Sequence, residues 1–255
     1  MRGLRAEWIK LWSVRSTWVS VGVAVAVSLG LGLADTVGAV RGWDTLPPAD
    51  RTAFDPLASA FAGLTLAQLA LGVLGVLAVT SEYSSGNVVP ALAAQPRRAV
   101  GFAAKAGTVF GVALALGEGL AFGSYLLGQA VLHGRHLEVG LGAPGVLRSV
   151  VSAGLYLCVV TMVGFGLGAF LRHPAGATAA LFAVVFLAYG AAKSLEGWSY
   201  LPSRLQLSNA GDVVAQVHAV AAEPRLPSLG LAYLDLALYL TVTLALGAWR
   251  STRDV

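Results

Sequence analysis

Two carboxylates stand where a carboxylate is costly. Glu118 and Asp235 each lie inside a long apolar run, and no Lys or Arg lies inside any such run to pair with them. An ionised carboxylate at the centre of a bilayer costs at least ~2.5 kcal/mol, so each must face protein or water, or be protonated. Counting from the same-side ends of their runs at ~1.5 Å per residue places Glu118 about 18 Å deep and Asp235 about 21 Å deep. At matching depth they can share a proton, line one substrate or proton path, or each sit protonated against a backbone carbonyl or hydroxyl.

Other residues with chemical potential lack the partners that their chemistry needs. His133 and His136 in "HGRH" have no third ligand close in sequence, so they do not read as a metal site. Ser124 in "FGSYLLGQ" would need a base within hydrogen-bond reach, and no apolar run carries a His. "GFAAKAGT" from Gly101 lacks the Gly-Lys-Ser/Thr core of a phosphate cradle. The chain therefore reads as neither an ATPase nor any other enzyme, and it needs no cofactor of its own. Its single cysteine, Cys158, excludes an intramolecular disulfide.

The elements that hold Glu118 and Asp235 are membrane spans. The chain of 255 residues is 56% hydrophobic and 12% charged, with a mean hydropathy of +0.73, whereas soluble domains are about a quarter charged. Roughly 20 apolar residues cross a bilayer as a helix, and six runs reach about that length: Trp18 to Ala34, Ser59 to Thr80, Ala106 to Leu132, Ser149 to Leu171, Ala175 to Ala192, and Ser228 to Trp249. The expectation is an all-α membrane protein of six transmembrane helices, its first span a retained anchor and not a cleaved signal. The net charge of +4 is scattered along segments flanking the spans. That pattern points to lipid headgroups and protein partners, and away from nucleic acid.

An even number of spans puts both termini on one side. With the termini in the cytosol, the inner segments hold ten Lys/Arg against three acids, and the outer segments hold seven against eight. Basic residues favour the cytosolic side, so the expectation is a multi-pass plasma-membrane protein with both termini inside.

The third span carries small residues at every fourth position, Ala103, Gly107, Gly111, Ala115, Gly119 and Gly123. Such a ladder permits close helix crossing in lipid. Glu118 is seven residues from Gly111, so it is expected on nearly the same inward face. Gly164, Gly166 and Gly168 in the fourth span read as packing. The outer segment 193–227 contains "SNAGDVVAQVHAVAA", Ser208 to Ala222, with apolar positions at helical spacing behind an Asn or Asp cap. A short helix on or dipping into the outer leaflet is expected there.

Two inner-face segments have patterning beyond what connection requires. In the leader, Met1 to Val14, the residues Met1, Leu4, Trp8, Leu11 and Trp12 share one helical face, opposite Arg2, Lys10 and Ser13. This is an amphipathic interface helix, here taken as the unit 1–16, serving as an anchor or as a docking surface. The loop 81–105 begins with Glu82 and Tyr83 at the end of the second span, turns at Gly86, and offers Pro90 as the first turn of a short helix, Ala91 to Gln95. Pro96 ends that helix, and Arg97, Arg98 and Lys105 return the chain to the headgroups.

The order of these parts, leader "RAEWIKLWSVRSTW", two spans, then "EYSSGNVVPALAAQPRRAVGFAAK" and four further spans, resembles the ABC type-2 transporter permease family, notably its compact actinobacterial members. The resemblance runs over the whole chain, 17–255 being the transmembrane domain. It implies an interface helix, a cytoplasmic coupling helix and short outer helices before the last span. It also implies docking of a separate nucleotide-binding ATPase, which would bind the ATP and Mg, through Trp8, Lys10, Arg15, Glu82, Tyr83, Gly86, Pro96, Arg97, Arg98 and Lys105. A second permease subunit, homo- or heterodimeric, and export of an antibiotic, peptide or lipid-like substrate follow by the same resemblance. Asn87 stands where a Thr is common in that family, and no basic residue lies between Gly86 and Pro96. The alternative class is a proton-coupled secondary carrier that uses Glu118 and Asp235.

Overall fold

In lipid every backbone N–H and C=O must find a partner within the protein, which leaves helices as the economical way to cross. The computed structural model describes residues 2–84, 98–195, 198–217 and 226–252, and these form helices with no strand among them. Six stretches are long and apolar enough to span a membrane: Arg15–Thr45, Pro56–Ser81, Ala99–Arg135, Val146–Leu171, Pro174–Ser194 and Leu229–Thr252. Each expected span has its counterpart among them.

The helices are α1 (Arg2–Ser13), α2 (Arg15–Gly42), α3 (Pro48–Ala53), α4 (Pro56–Phe61), α5 (Leu64–Ser84), α6 (Arg98–Leu132), α7 (Val146–Leu171), α8 (Pro174–Phe182), α9 (Ala188–Ser194), α10 (Leu201–Arg204), α11 (Leu207–Ala215) and α12 (Leu229–Thr252). A π turn, Ala183–Leu187, joins α8 to α9. The expected cytoplasmic helix Ala91 to Gln95 lies outside the described residues, as do Gly86, Pro96 and Arg97.

α7 is the most buried span and packs against α5, α6 and α12. Between helices in lipid no hydrophobic effect operates, so close van der Waals approach must supply the packing energy. The Gly164, Gly166 and Gly168 run supplies it on two sides: Gly164 lies against the backbone of Gly72, Gly166 against Thr243 on α12, and Gly168 against Val76 and Val79. Large apolar side chains such as Leu234, Leu238, Val242 and Leu246 of α12 remain exposed, as lipid-facing positions should.

Three boundaries differ from expectation for identifiable reasons. α2 continues past Ala34 to Gly42 because Asp35 does not break it; its carboxylate accepts a 2.5 Å hydrogen bond from the Ser59 hydroxyl. α6 has 35 residues, about 52 Å of helix against a hydrocarbon core of ~30 Å, so it extends well past the apolar layer. α11 begins at Leu207 and is capped by neither Asn nor Asp, because the Gln206 side chain accepts from the Asn209 N–H at 2.9 Å. Its Leu207, Ala210, Val213 and Val214 are buried against α7, α12 and the π turn.

The small-residue ladder of α6 requires a correction. Gly107, Gly111 and Gly119 face outward with no other group within 4 Å of where a Cβ would lie. The close crossings of α6 use Gly117, set against the Gly154 backbone of α7, and Gly128, set against Ala60. Ala103, Gly107, Gly111, Ala115 and Gly119 are all exposed, so the ladder follows an outward side of α6, and the side that meets α7 is the one that carries Gly117 and Glu118.

Candidate functional site

The side of the molecule where α1 begins the described chain and α12 ends holds a cavity of about 370 Å³ with mixed polar and apolar walls, between α1 and the ends of α2, α5 and α6. Its position follows from the start of the chain. Val14 is extended (φ −93°, ψ 127°) and separates α1 from α2. The Thr17 hydroxyl donates to the Leu11 carbonyl at 2.7 Å and the Trp18 indole N–H donates to the Trp12 carbonyl at 3.0 Å. Both bonds occupy orphan carbonyls at the end of α1 and fasten it to the first span. Trp8, Trp12 and Trp18 form a ladder with ring centroids 5.8 and 4.8 Å apart. Trp8 and Trp18 are exposed, as suits aromatic groups at headgroup level.

Inside the cavity, Lys105 Nζ lies 3.7 Å from Glu7 Oε2. Lys105 is only 9% exposed, and its pair with Glu7 ties α1 to α6. Ser16, Thr17, Ser81 and Thr108 line the same space. Trp8, Lys10 and Arg15 are exposed. Glu82 and Tyr83 fall in the last turn of α5 and Arg98 opens α6, so the cavity sits between the two stems of the loop 81–105. Glu7 was not singled out as a site residue by sequence. The available signal was that it is the only acid in an otherwise basic leader.

Glu118 and Asp235 are not joined. Glu118 packs on Gly154 of α7, and its Oε2 is buried without a hydrogen-bond partner. Asp235 is 8% exposed on α12, where its neighbours Ala232 and Leu236 pack into a cluster with Val159, Val160 and Val163. No hydrogen bond or ion pair links the two carboxylates among the described residues, and neither lines either cavity described here. A shared proton has no geometric basis in this arrangement.

On the opposite side, His133 Nδ1 is 2.8 Å from Glu138 Oε1. A hydrogen bond from its own backbone N–H, followed by the His133 contact, holds the Glu138 carboxyl below its usual range. Among the described residues no group of three His, Cys, Asp or Glu side chains converges to hold a metal.

A second, larger cavity of about 550 Å³ opens on this side between the starts of α5 and α7, the π turn and α11. It contains Asp212, Tyr156 and Gln68, of which sequence reading offers Asp212 only as a helix cap and the other two not at all. Within α8–α9 the π turn directs the Val185 carbonyl to two donors, Gln206 Nε2 at 3.0 Å and Ser208 Oγ at 2.8 Å. These bonds dock α11 over the cavity. Arg148 secures the other end of α11 by donating to the carbonyls of Val214 and Gln216 at 3.2 and 2.6 Å.

No family model matches the chain, and no curated protein or solved structure matches it.

Proposed function

We propose that this chain is the membrane-spanning permease subunit of an ATP-driven exporter of the ATP-binding cassette class, working with a separate cytoplasmic ATPase and a second permease subunit. The observation that carries the reading is the ion pair from Glu7 of α1 to Lys105 of α6, set in a cavity between the stems of the loop 81–105. With α1 also bonded to α2 through Thr17 and Trp18, a load applied to α1 or to that loop is delivered to α2, α5 and α6 together. Packed helices transmit such a load because they move as rigid units.

On this reading the terminal side faces the cytosol of the plasma membrane. Trp8, Lys10 and Arg15 contribute an exposed surface for the ATPase, while Glu82, Tyr83, Gly86, Pro96, Arg97 and Arg98 belong to the loop it grips. Lys105 positions α1. ATP and Mg are held by the partner, and ATP-driven closure of two ATPase subunits opens the spans outward. The substrate class is hydrophobic or amphipathic, as expected for a path among apolar spans.

Co-expression with an ATPase encoded beside it is the test. A detergent-stable complex that Glu82→Ala or Arg97→Glu weakens is the expected result. Unchanged assembly and transport in both variants would contradict the proposal.

A further inference from the structure

We propose that the cavity under α11 binds an amphipathic organic cation, its charge at Asp212 and its apolar body between α5, α7 and the π turn. The inference deepens the permease reading and rests on it for the direction of movement, while binding itself is a property of this chain. The volume of about 550 Å³ falls in the range of small-molecule sites, roughly 300–1,000 Å³, which combine apolar walls with a few placed polar groups. Here Phe61, Leu64, Val185 and Phe186 provide apolar wall. The polar groups are Asp212, Asp55 and the Tyr156–Gln68 pair, in which the phenol donates to the amide oxygen.

The depth suits an amphiphile. Tyr156 is ten residues into α7, about 15 Å from its start, whereas Asp55 and Gln216 lie beyond the ends of α4 and α11. The cavity therefore runs from the loops into the apolar layer. Both ionisable carboxyls among its described lining residues are negative when charged, and none of those residues is Lys, Arg or His.

The elements packed against α11 bring few other charges. They are Arg148 and Tyr156 from α7, Arg204 from α10, and Tyr233, Asp235 and Tyr239 from α12, with Asp55 facing the cavity from the start of α4. Arg148 is committed to the carbonyl end of α11. Gly211 lets α11 lie on the Tyr156 ring, since a Cβ there would meet the ring carbons at 2.5 Å. That contact sets Asp212 beside the phenol. Asp212 is exposed where it lines the cavity, and partial desolvation by the protein packed around it pushes its pKa up to about 6. A desolvated carboxylate gains more from a cation than a fully hydrated one does.

The test measures tetraphenylphosphonium binding to the full chain alone in lipid nanodiscs, with folding checked by thermal unfolding. Asp212→Asn and the cavity-filling Ala62→Trp are each expected to weaken binding by about tenfold or more, and Asp212→Glu to retain it. Affinity for the unaltered chain is expected to fall as pH drops below about 6, where Asp212 takes up its proton. Wild-type affinity in both Asp212→Asn and Ala62→Trp would overturn the proposal. So would equal binding of the anion tetraphenylborate, or, should Asp212→Asn fail to fold, an affinity that stays flat across that pH range. Because no ATPase is present, failure here leaves the permease reading to its own co-expression test.

Discussion

Lys105 Nζ and Glu7 Oε2 lie 3.7 Å apart across the boundary between an amphipathic helix and a membrane span. Their side chains are 11% and 23% exposed, so the pair is shielded from the screening that makes surface ion pairs nearly worthless. Removing one member leaves the other poorly solvated. Lys105→Glu is therefore expected to detach α1, and Glu7→Lys added to Lys105→Glu to restore it in part, with a coupling energy of about 1 kcal/mol in a double-mutant cycle. Protease or hydrogen-exchange protection of residues 2–13 reads the outcome.

The crossing of α6 and α7 predicts two opposite outcomes for glycine substitution. A Cβ at Gly154 would meet the Glu118 carboxyl at 2.6 Å and its Cα at 2.8 Å. Gly154→Ala must displace backbone and is expected to destabilise the chain by about 1–3 kcal/mol. Gly111→Ala and Gly119→Ala meet nothing within 4 Å and are expected to be neutral or to stabilise by up to about 1 kcal/mol through helix propensity. Thermal unfolding in one detergent compares the three.

Asp212 makes a prediction whose sign is set by linkage. In the folded chain its pKa is raised from 3.8 to about 6, so between those values the folded state holds more protons than the unfolded state. Stability from this group is greatest below the unfolded value and is lost as pH rises through about 6. At about pH 7.5 the ionised carboxylate therefore destabilises the fold. Asp212→Asn should relieve this by about 1 kcal/mol, a figure discounted because the cavity is open to water, and should bring no gain at about pH 4. An equal gain at both pH values would mean that ionisation is not the cause.

Arg148 closes the end of α11 with hydrogen bonds to Val214 and Gln216. Arg148→Ala frees the Val214 and Gln216 carbonyls and is expected to cost about 1–3 kcal/mol. The loss should appear first as exchange of amides in 207–217, before the spans themselves unfold.

The six spans were legible because the bilayer imposes one length on each, and a run such as Ser149 to Leu171 meets it without help from any neighbour. What depended on neighbours was not. The end of α2 was misplaced because Asp35 looked like a boundary until Ser59 was known to face it. The ladder on α6 was visible as a spacing, but which side of a helix meets another depends on where the second helix crosses, and α7 crosses at Gly117. Lys105 was visible as a basic residue, whereas its partner Glu7 is 98 positions away in the chain. Asp212 counted only as one more outer acid and a candidate helix cap, because nothing local to "SNAGDVV" announces that α7 and the π turn will form a cavity beside it.

The central claim is that the loop 81–105 lies in the cytosol and is gripped there by a separate ATPase. Cys158 is the single cysteine and is buried, so a Cys158→Ala chain is a clean background for Gly86→Cys and for Trp198→Cys at a 94% exposed position on the opposite side. Membrane-impermeant maleimide on intact cells should label the cysteine at 198 and not the one at 86, and a bifunctional maleimide should cross-link position 86 to the co-expressed ATPase. Labelling of position 86 from outside, or the absence of any adduct once the cytosolic face is opened to reagent, would contradict the account.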